Sequence, residues 1–338
     1  MNGQNSRTPA RTQIRTRIVG AIAALGAAAV IAALAPFGRP LIPTPALAYT
    51  APAPGADWPP IIDMHAHWQP GVTVATVLRS MEASNVQKAV IMPNGGHRFD
   101  AALELQQQHP RQFLAFIGFQ NGGWIRQQPG FLGPVEEALR TRQFKGLGEV
   151  LLRHYAIPER QAPDVSISAN APSTLRLLEL AARYQVPVIL HMEAETDPVS
   201  TVRQLTMALD EMRTRGLEPV VIWAHAGGPG PGATPQLVDS LLARYPNLYV
   251  DISSRSHVYR RATPIIDRQG VLLPEWKALL IRYQDRVIVG SDTPFPDLWT
   301  RAIYIDVIRG QRDILRQLPN EVAEKIGYKN AQMLLKLE

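Results

Sequence analysis

Ile61-Ile62-Asp63-Met64-His65-Ala66-His67 joins a short apolar run to two histidines spaced two apart. Residues i and i+2 of a β-strand point to the same side. A strand here therefore projects His65 and His67 together, close enough to share one cation. Neutral imidazole is the commonest side-chain ligand for a transition metal. A lone His-x-His pair is a weak signal. It gains weight because further apolar runs end in Glu149, His191, His225 and Asp292.

Outward from this stretch a rhythm sets in. Apolar runs at 61–64, 88–92, 113–119, 144–149, 186–190, 220–223, 248–252 and 287–290 alternate with amphipathic stretches at 74–83, 101–109, 135–142, 173–184, 198–215, 235–245 and 274–283. Unbroken apolar runs fit parallel strands covered on both faces. Strands alternating with helical patterns fit repeated βα units. Eight alternations with no large gap predict an α/β protein, a (β/α)8 TIM barrel, over an open doubly wound sheet. Ser173 reads as a helix N-cap, and Pro198, Pro235 and Pro274 suit first turns. A last helical region, 298–337, is expected to break near Pro319 and Gly327. The stretch 151–172 reads as a long loop that walls or covers a substrate.

The N-terminus reads as a targeting segment. Arg7, Arg11, Arg15 and Arg17 precede an apolar run at 18–35, and Ala46-Leu47-Ala48 offers a small-residue cleavage site. That order of regions defines a secretory signal peptide. The alternative is an uncleaved anchor, because roughly 18 apolar residues just span a bilayer. The expected organisation is thus a signal peptide at 1–48, an Ala/Pro linker at 49–58 and one barrel domain at 59–338. The expected location is periplasmic or extracellular, or membrane-attached through the N-terminal segment. The formal charge of +6 follows from the leader: five of the 35 basic residues and none of the 29 acidic ones lie in 1–48. The rest is close to neutral, so the charge is no argument for nucleic-acid binding. The absence of cysteine excludes disulfides, thiolate metal sites and cysteine nucleophiles. The partner expected is a small-molecule substrate, with no nucleic acid, a membrane only through the leader, and a homodimer as one compatible assembly.

In TIM barrels the C-terminal strand ends build the active site. Four histidines and two carboxylates, His65, His67, His191, His225, Glu149 and Asp292, would converge at one mouth. Buried together without a cation they would be poorly satisfied, and a divalent metal resolves this. Each has a plainer reading. Glu149 also reads as an acid paired with Arg153. Asp292 could cap a helix, although Pro294 and Pro296 argue for a loop. His225 before Gly227-Gly228 could mark a tight turn. Around this set, Trp68 could line the pocket, and Arg153 and His154 follow the fourth strand. Arg255, His257 and Arg260 follow the seventh, where arginines could grip a carboxylate in bidentate fashion. No Lys-Ser/Thr phosphate loop, Gly-x-Ser-x-Gly elbow or dinucleotide fingerprint occurs.

The motifs carry a resemblance. His65-x-His67 with His191, His225 and Asp292 at successive strand ends resembles the amidohydrolase superfamily. Trp223-Ala224-His225-Ala226-Gly227-Gly228 and Gly290-Ser291-Asp292-Thr293-Pro294 resemble its amidohydrolase-2 branch, which includes aminocarboxymuconate-semialdehyde decarboxylase and related decarboxylases and hydrolases. Lys325-Ile326-Gly327-Tyr328-Lys329-Asn330-Ala331 is similar to the Asn-Ala helix that closes members of that branch. The resemblance covers about 59–338. It implies His65, His67, His191 and Asp292 as metal ligands, with His225 orienting or polarising the substrate or the metal-bound water. It implies that Asp292 also takes the proton from that water. Zinc is the first choice of metal, with manganese or magnesium as alternatives, as one ion or two. Should Glu149 bridge two ions, His191 and His225 would fall on the second, and hydrolysis would gain over decarboxylation. The expected activity is metal-dependent hydrolysis of an amide, ester or lactone-like bond. The alternative is non-oxidative decarboxylation of an aromatic or unsaturated acid. A non-catalytic barrel would have lost a ligand, and none is lost.

Overall fold

The computed structural model describes residues 59–195, 201–256 and 264–337. The expected leader, the linker and the first-turn Pro198 lie outside the described residues, as do His257 and Arg260. Among the described residues no helix is long and apolar enough to cross a membrane.

Among the described residues nine strands form: β1 (Ile61–Trp68), β2 (Val86–Pro93), β3 (Phe113–Ile117), β4 (Gly146–His154), β5 (Val165–Ser166), β6 (Val188–Met192), β7 (Val221–Trp223), β8 (Leu248–Asp251) and β9 (Val287–Ile288). Eight of them pair in the order β1-β2-β3-β4-β6-β7-β8-β9, all parallel, and β5 adds to β4 antiparallel. The ring closes beyond β9, where the Met64 amide donates to the Val289 carbonyl at 3.0 Å and the Asp292 amide to the His65 carbonyl at 2.6 Å. Gly290 makes that closure possible, because a Cβ there would collide with the Cβ of His65. The fold is the expected TIM barrel.

Two apolar layers hold it. Ile62, Met64, Val90, Leu114, Phe116, Ile189, Ile222 and Ile288 fill the barrel interior. Leu147, Val150, Leu177, Val188, Leu190, Val221, Trp223 and Leu248 belong to the layer between barrel and helices. Alternate strand residues therefore serve different layers, as a sheet buried on both faces requires. The helix Asn330–Leu335 lends Ala331 and Leu335 to the interior cluster. Asn330 Nδ2 secures it, donating at 2.7 Å to the carbonyls of both Gln284 and Val287. This plugs the end where the strands begin and leaves the other end for chemistry.

Several boundaries differ from the sequence reading. β1 runs past Met64 to Trp68, so both histidines lie on the strand itself. β4 runs past Glu149 to His154, and β5 folds back on it with Arg153 opposite Ser166. The expected loop at 151–172 is thus in part a β-arm. Ser173 is not an N-cap: the helix Pro172–Tyr184 starts from Ala171 with Pro172 in its first turn. A proline supplies the helical φ and has no N–H to satisfy there, which moves the start two residues upstream of Ser173. Pro235 and Pro274 do open their helices. The C-terminal region breaks at Pro319 but not at Gly327, which lies in a π-turn, Lys325–Lys329, continuous with the helices on either side.

Candidate metal centre

Two bulges aim the site. Along β1, Ile62 and Met64 face the interior and Ile61 and Ala66 the helix layer. Strict alternation from Met64 would send His65 and His67 outward. Instead the pairing with β2 steps from Asp63↔Ala89 to Ala66↔Ile91, three residues against two. One extra residue re-aims a strand, and His65 and His67 turn inward. β4 repeats the device. Leu147 and Val150 both face the helix layer, and the pairing steps from Leu147↔Val188 to Val150↔Leu190, which frees Glu149 to point inward. On β6 plain alternation suffices, with Leu190 and Met192 outward and His191 inward. His225, Ala226, Ser254 and Asp292 all sit at φ between 46° and 55°. For non-glycine residues that left-handed region costs on the order of 1 kcal/mol each, and such strain concentrates at functional sites.

The side chains meet around Glu149. Its Oε1 lies 2.7 Å from His191 Nδ1, 3.2 Å from His225 Nε2 and 3.4 Å from His65 Nε2, and its Oε2 lies 3.4 Å from His67 Nε2. Gln120 Nε2 donates to Oε2 at 2.5 Å. Asp292 Oδ1 stands 3.9 Å from Nε2 of both β1 histidines, and its Oδ2 accepts from Ser254 Oγ. All six are buried except Asp292, whose side chain is 13 % exposed.

Outer partners fix the rings. Asp251 accepts from His65 Nδ1 at 3.0 Å, which turns His65 Nε2 to the centre. Asp251 also accepts the His225 amide at 3.0 Å and the Ser253 hydroxyl. With its proton given to Asp251, Ser253 accepts from His225 Nδ1 at 2.8 Å, and His225 Nε2 faces inward. Burial opposes charge on Glu149, Asp251, His65 and His191, yet the mutual attractions prevail. Burial raises Glu149, but His191 and His65 outweigh it and hold the carboxyl well below its usual range. Burial likewise raises Asp251, and His65 brings it down to about 2. Burial lowers His65 and His191; Glu149 and Asp251 lift the first well above its usual value, and Glu149 and Glu193 lift the second to about 10. Without metal, protons neutralise the carboxylates; a cation can take their place.

The donors fit such a cation. His65 Nε2 and both ring nitrogens of His67 are buried with no hydrogen-bond partner. The 3.4 Å gaps between these Nε2 atoms and Glu149 are long for hydrogen bonds. They match the roughly 3.4 Å that separates two ligands each about 2.1 Å from a tetrahedral ion. His65, His67 and Asp292 form one group able to hold an ion, and His65, Glu149 and His225 another.

The residues expected around this set make contacts of their own. Trp68 stacks on His97, ring centroids 4.2 Å apart, and donates to the Val72 carbonyl. Arg153 pairs with Glu195 and Asp164 at 3.0 Å each, not with Glu149. Arg255 is fully buried over Trp276 and donates to the Ala233 carbonyl. His154 stands beside His191 at the rim. Asp251, Ser253, Gln120 and Glu193 were not singled out from the sequence. Asp251 had a readable signal, a lone carboxylate inside the apolar run 248–252. Asp251→Asn is expected to weaken zinc binding by about 10–100-fold, as outer-partner changes typically do. Competition with a chelating dye would measure this, and unchanged affinity would show that Asp251 does not position His65.

A parallel barrel with histidines and carboxylates converging at its strand ends defines the class: a (β/α)8 protein built around a site that could hold a divalent cation. The chain belongs to the amidohydrolase family, whose model, of the amidohydrolase-2 branch, matches residues 62–337. Members of this family generally use a divalent metal. A comparison with curated protein sequences gives no match. Among solved structures, an uncharacterized TIM-barrel protein from Bordetella bronchiseptica is similar at 14 % identity and a TM-score of 0.57, covering 82 % of this chain and 98 % of that one. A probable 2-pyrone-4,6-dicarboxylic acid hydrolase from Acinetobacter baumannii is similar at 18 % identity and 0.55, covering 82 % and 99 %. A 2,6-dihydroxybenzoate decarboxylase from Rhizobium is similar at 14 % and 0.52, covering 82 % and 98 %. At these identities the likeness is one of fold.

Proposed function

We propose that this chain is a metal-dependent hydrolase acting on an amide, ester or lactone-like bond of a small molecule. The observation that carries the reading is the position of Glu149, within 2.7–3.4 Å of a ring nitrogen of each of four histidines. A carboxylate so placed suits a ligand shared within a metal centre. His65, His67, Asp292 and Glu149 would hold the ion, and the imidazole-rich donors favour zinc, then manganese. When bound, a divalent ion polarises a carbonyl oxygen and lowers the pKa of water toward ~7.

The chain's own groups do the rest. Asp292 accepts the proton: it is the most exposed carboxylate of the set, and Ser254 orients it. His225 turns Nε2 to the centre, 3.8 Å from Asp292 Oδ2, where a proton can pass to the substrate oxygen or the leaving group. The buried walls limit competing water. Arg153 is committed to Glu195 and Asp164, which takes from the rim one guanidinium that could grip a substrate carboxylate. That weighs toward hydrolysis.

The test is an assay of the zinc- and manganese-loaded protein against lactones, esters, amides and aromatic acids. Proton release is titrated at constant pH, and carbon dioxide is measured in parallel. Hydrolysis of at least one neutral substrate is expected. Carbon dioxide from an aromatic acid, with no hydrolysis across the panel, would overturn the reading.

A further inference from the structure

His191 turns its two ring nitrogens to different partners. Nδ1 lies 2.7 Å from Glu149 Oε1, and Nε2 lies 3.4 Å from Glu193 Oε1. A carboxylate only accepts: Nδ1 is turned to Glu149 at the short distance, and Nε2, at the longer distance from Glu193, is the nitrogen turned to the rim, where a cation can lie between it and that carboxylate. His154, the last residue of β4, follows the same rule: its Nδ1 lies 3.0 Å from the Pro163 carbonyl oxygen, again only an acceptor. A ring N–H given to a carboxylate or carbonyl is the usual companion of a metal-binding imidazole. The two rings are 5.2 Å apart. One ligand atom from each, together with a Glu193 oxygen, lies within 4.8 Å of the other two. Glu193 is buried and fixed, its Oε1 accepting the Tyr155 amide at 3.1 Å.

We propose that His154, His191 and Glu193 form a second divalent-metal site at the rim of the barrel. It is distinct from the His65–His67–Asp292 centre and joined to it through the Glu149–His191 hydrogen bond. Two imidazoles and a carboxylate suit zinc, cobalt or manganese and leave positions open for water or substrate. His154 is only partly buried, which gives solvent that access. The arrangement departs from the sequence expectation of a second ion between His191 and His225. His225 is engaged with Ser253 through Nδ1 and faces Glu149 through Nε2, and it is not part of this group. The site goes beyond the hydrolytic reading and does not depend on which bond is cleaved.

Titrating the metal-free protein with Zn²⁺ alone, by calorimetry and by metal content after gel filtration, tests it. His154→Ala and Glu193→Gln are each expected to bind one ion fewer per chain than wild type. If either variant binds as many ions as wild type, the site does not exist. His67→Ala separates the two centres: it too should lose one ion. Should the first centre be what fails, His67→Ala matches wild type while the other two variants still lose one. Circular dichroism and melting in chelator ensure that only folded variants are counted, and Glu193→Gln, close to isosteric, serves if His154→Ala does not fold.

Discussion

Asp292→Asn is expected to lower kcat by roughly 10²–10⁴-fold, the usual contribution of a positioned proton acceptor, with a much smaller change in KM. Asparagine keeps the size of the side chain and an oxygen that can still accept from Ser254. It removes the carboxylate's negative charge and with it acceptance of a proton, and comparison at equal zinc content isolates the second loss from weaker ion binding. The backbone there is already left-handed, at φ 51°, and asparagine tolerates that region well. The loss is therefore not expected to come from misfolding. Turnover of the substrate found by the panel, measured on variant and wild type with equal zinc content, decides the matter. Full activity in the variant would remove Asp292 from the chemistry.

Stripping the ions with a chelator is expected to abolish turnover, and Zn²⁺ or Mn²⁺ should restore it. Stability should fall with it. An ion present at about 100 times its Kd adds about 2.7 kcal/mol to the folded state, which corresponds to a melting shift of about 4–5 °C for a domain of this size. The sign of the pH effect follows from His191. Glu149 and Glu193 hold its imidazole protonated up to about 10 in the metal-free protein, against the opposing pull of burial. An ion that uses this ring must displace that proton, so zinc affinity should tighten as pH rises from 6 toward 9. Activity and melting temperature indifferent to chelation would exclude metal catalysis.

The barrel was legible because each strand is buried on both faces and so stands out as an unbroken apolar run. The same property hid the bulges. In Ile61-Ile62-Asp63-Met64 both faces carry apolar residues, so nothing in the pattern marks where alternation slips. The equal spacing of His65 and His67 was readable; the side of the wall they occupy was not. His154 was placed in a loop because Arg153-His154-Tyr155 is polar, whereas β5 pairs with it and extends the strand. Asp251 falls inside the apolar run 248–252, and its role emerges only once ring closure brings His65 to it.

The two bulges carry a consequence for descent. At β1 the extra residue lets Met64 and His65 face the interior one after the other, so wall packing and ligand share the strand. Removing Met64 would restore strict alternation from Ile62 through His65 to His67, so both imidazoles would still face inward while the interior lost one apolar side chain. Loss of a single codon at such a bulge thus spares the ligands and thins the packing behind them, so lineages of these barrels can shed the extra residue and keep the site.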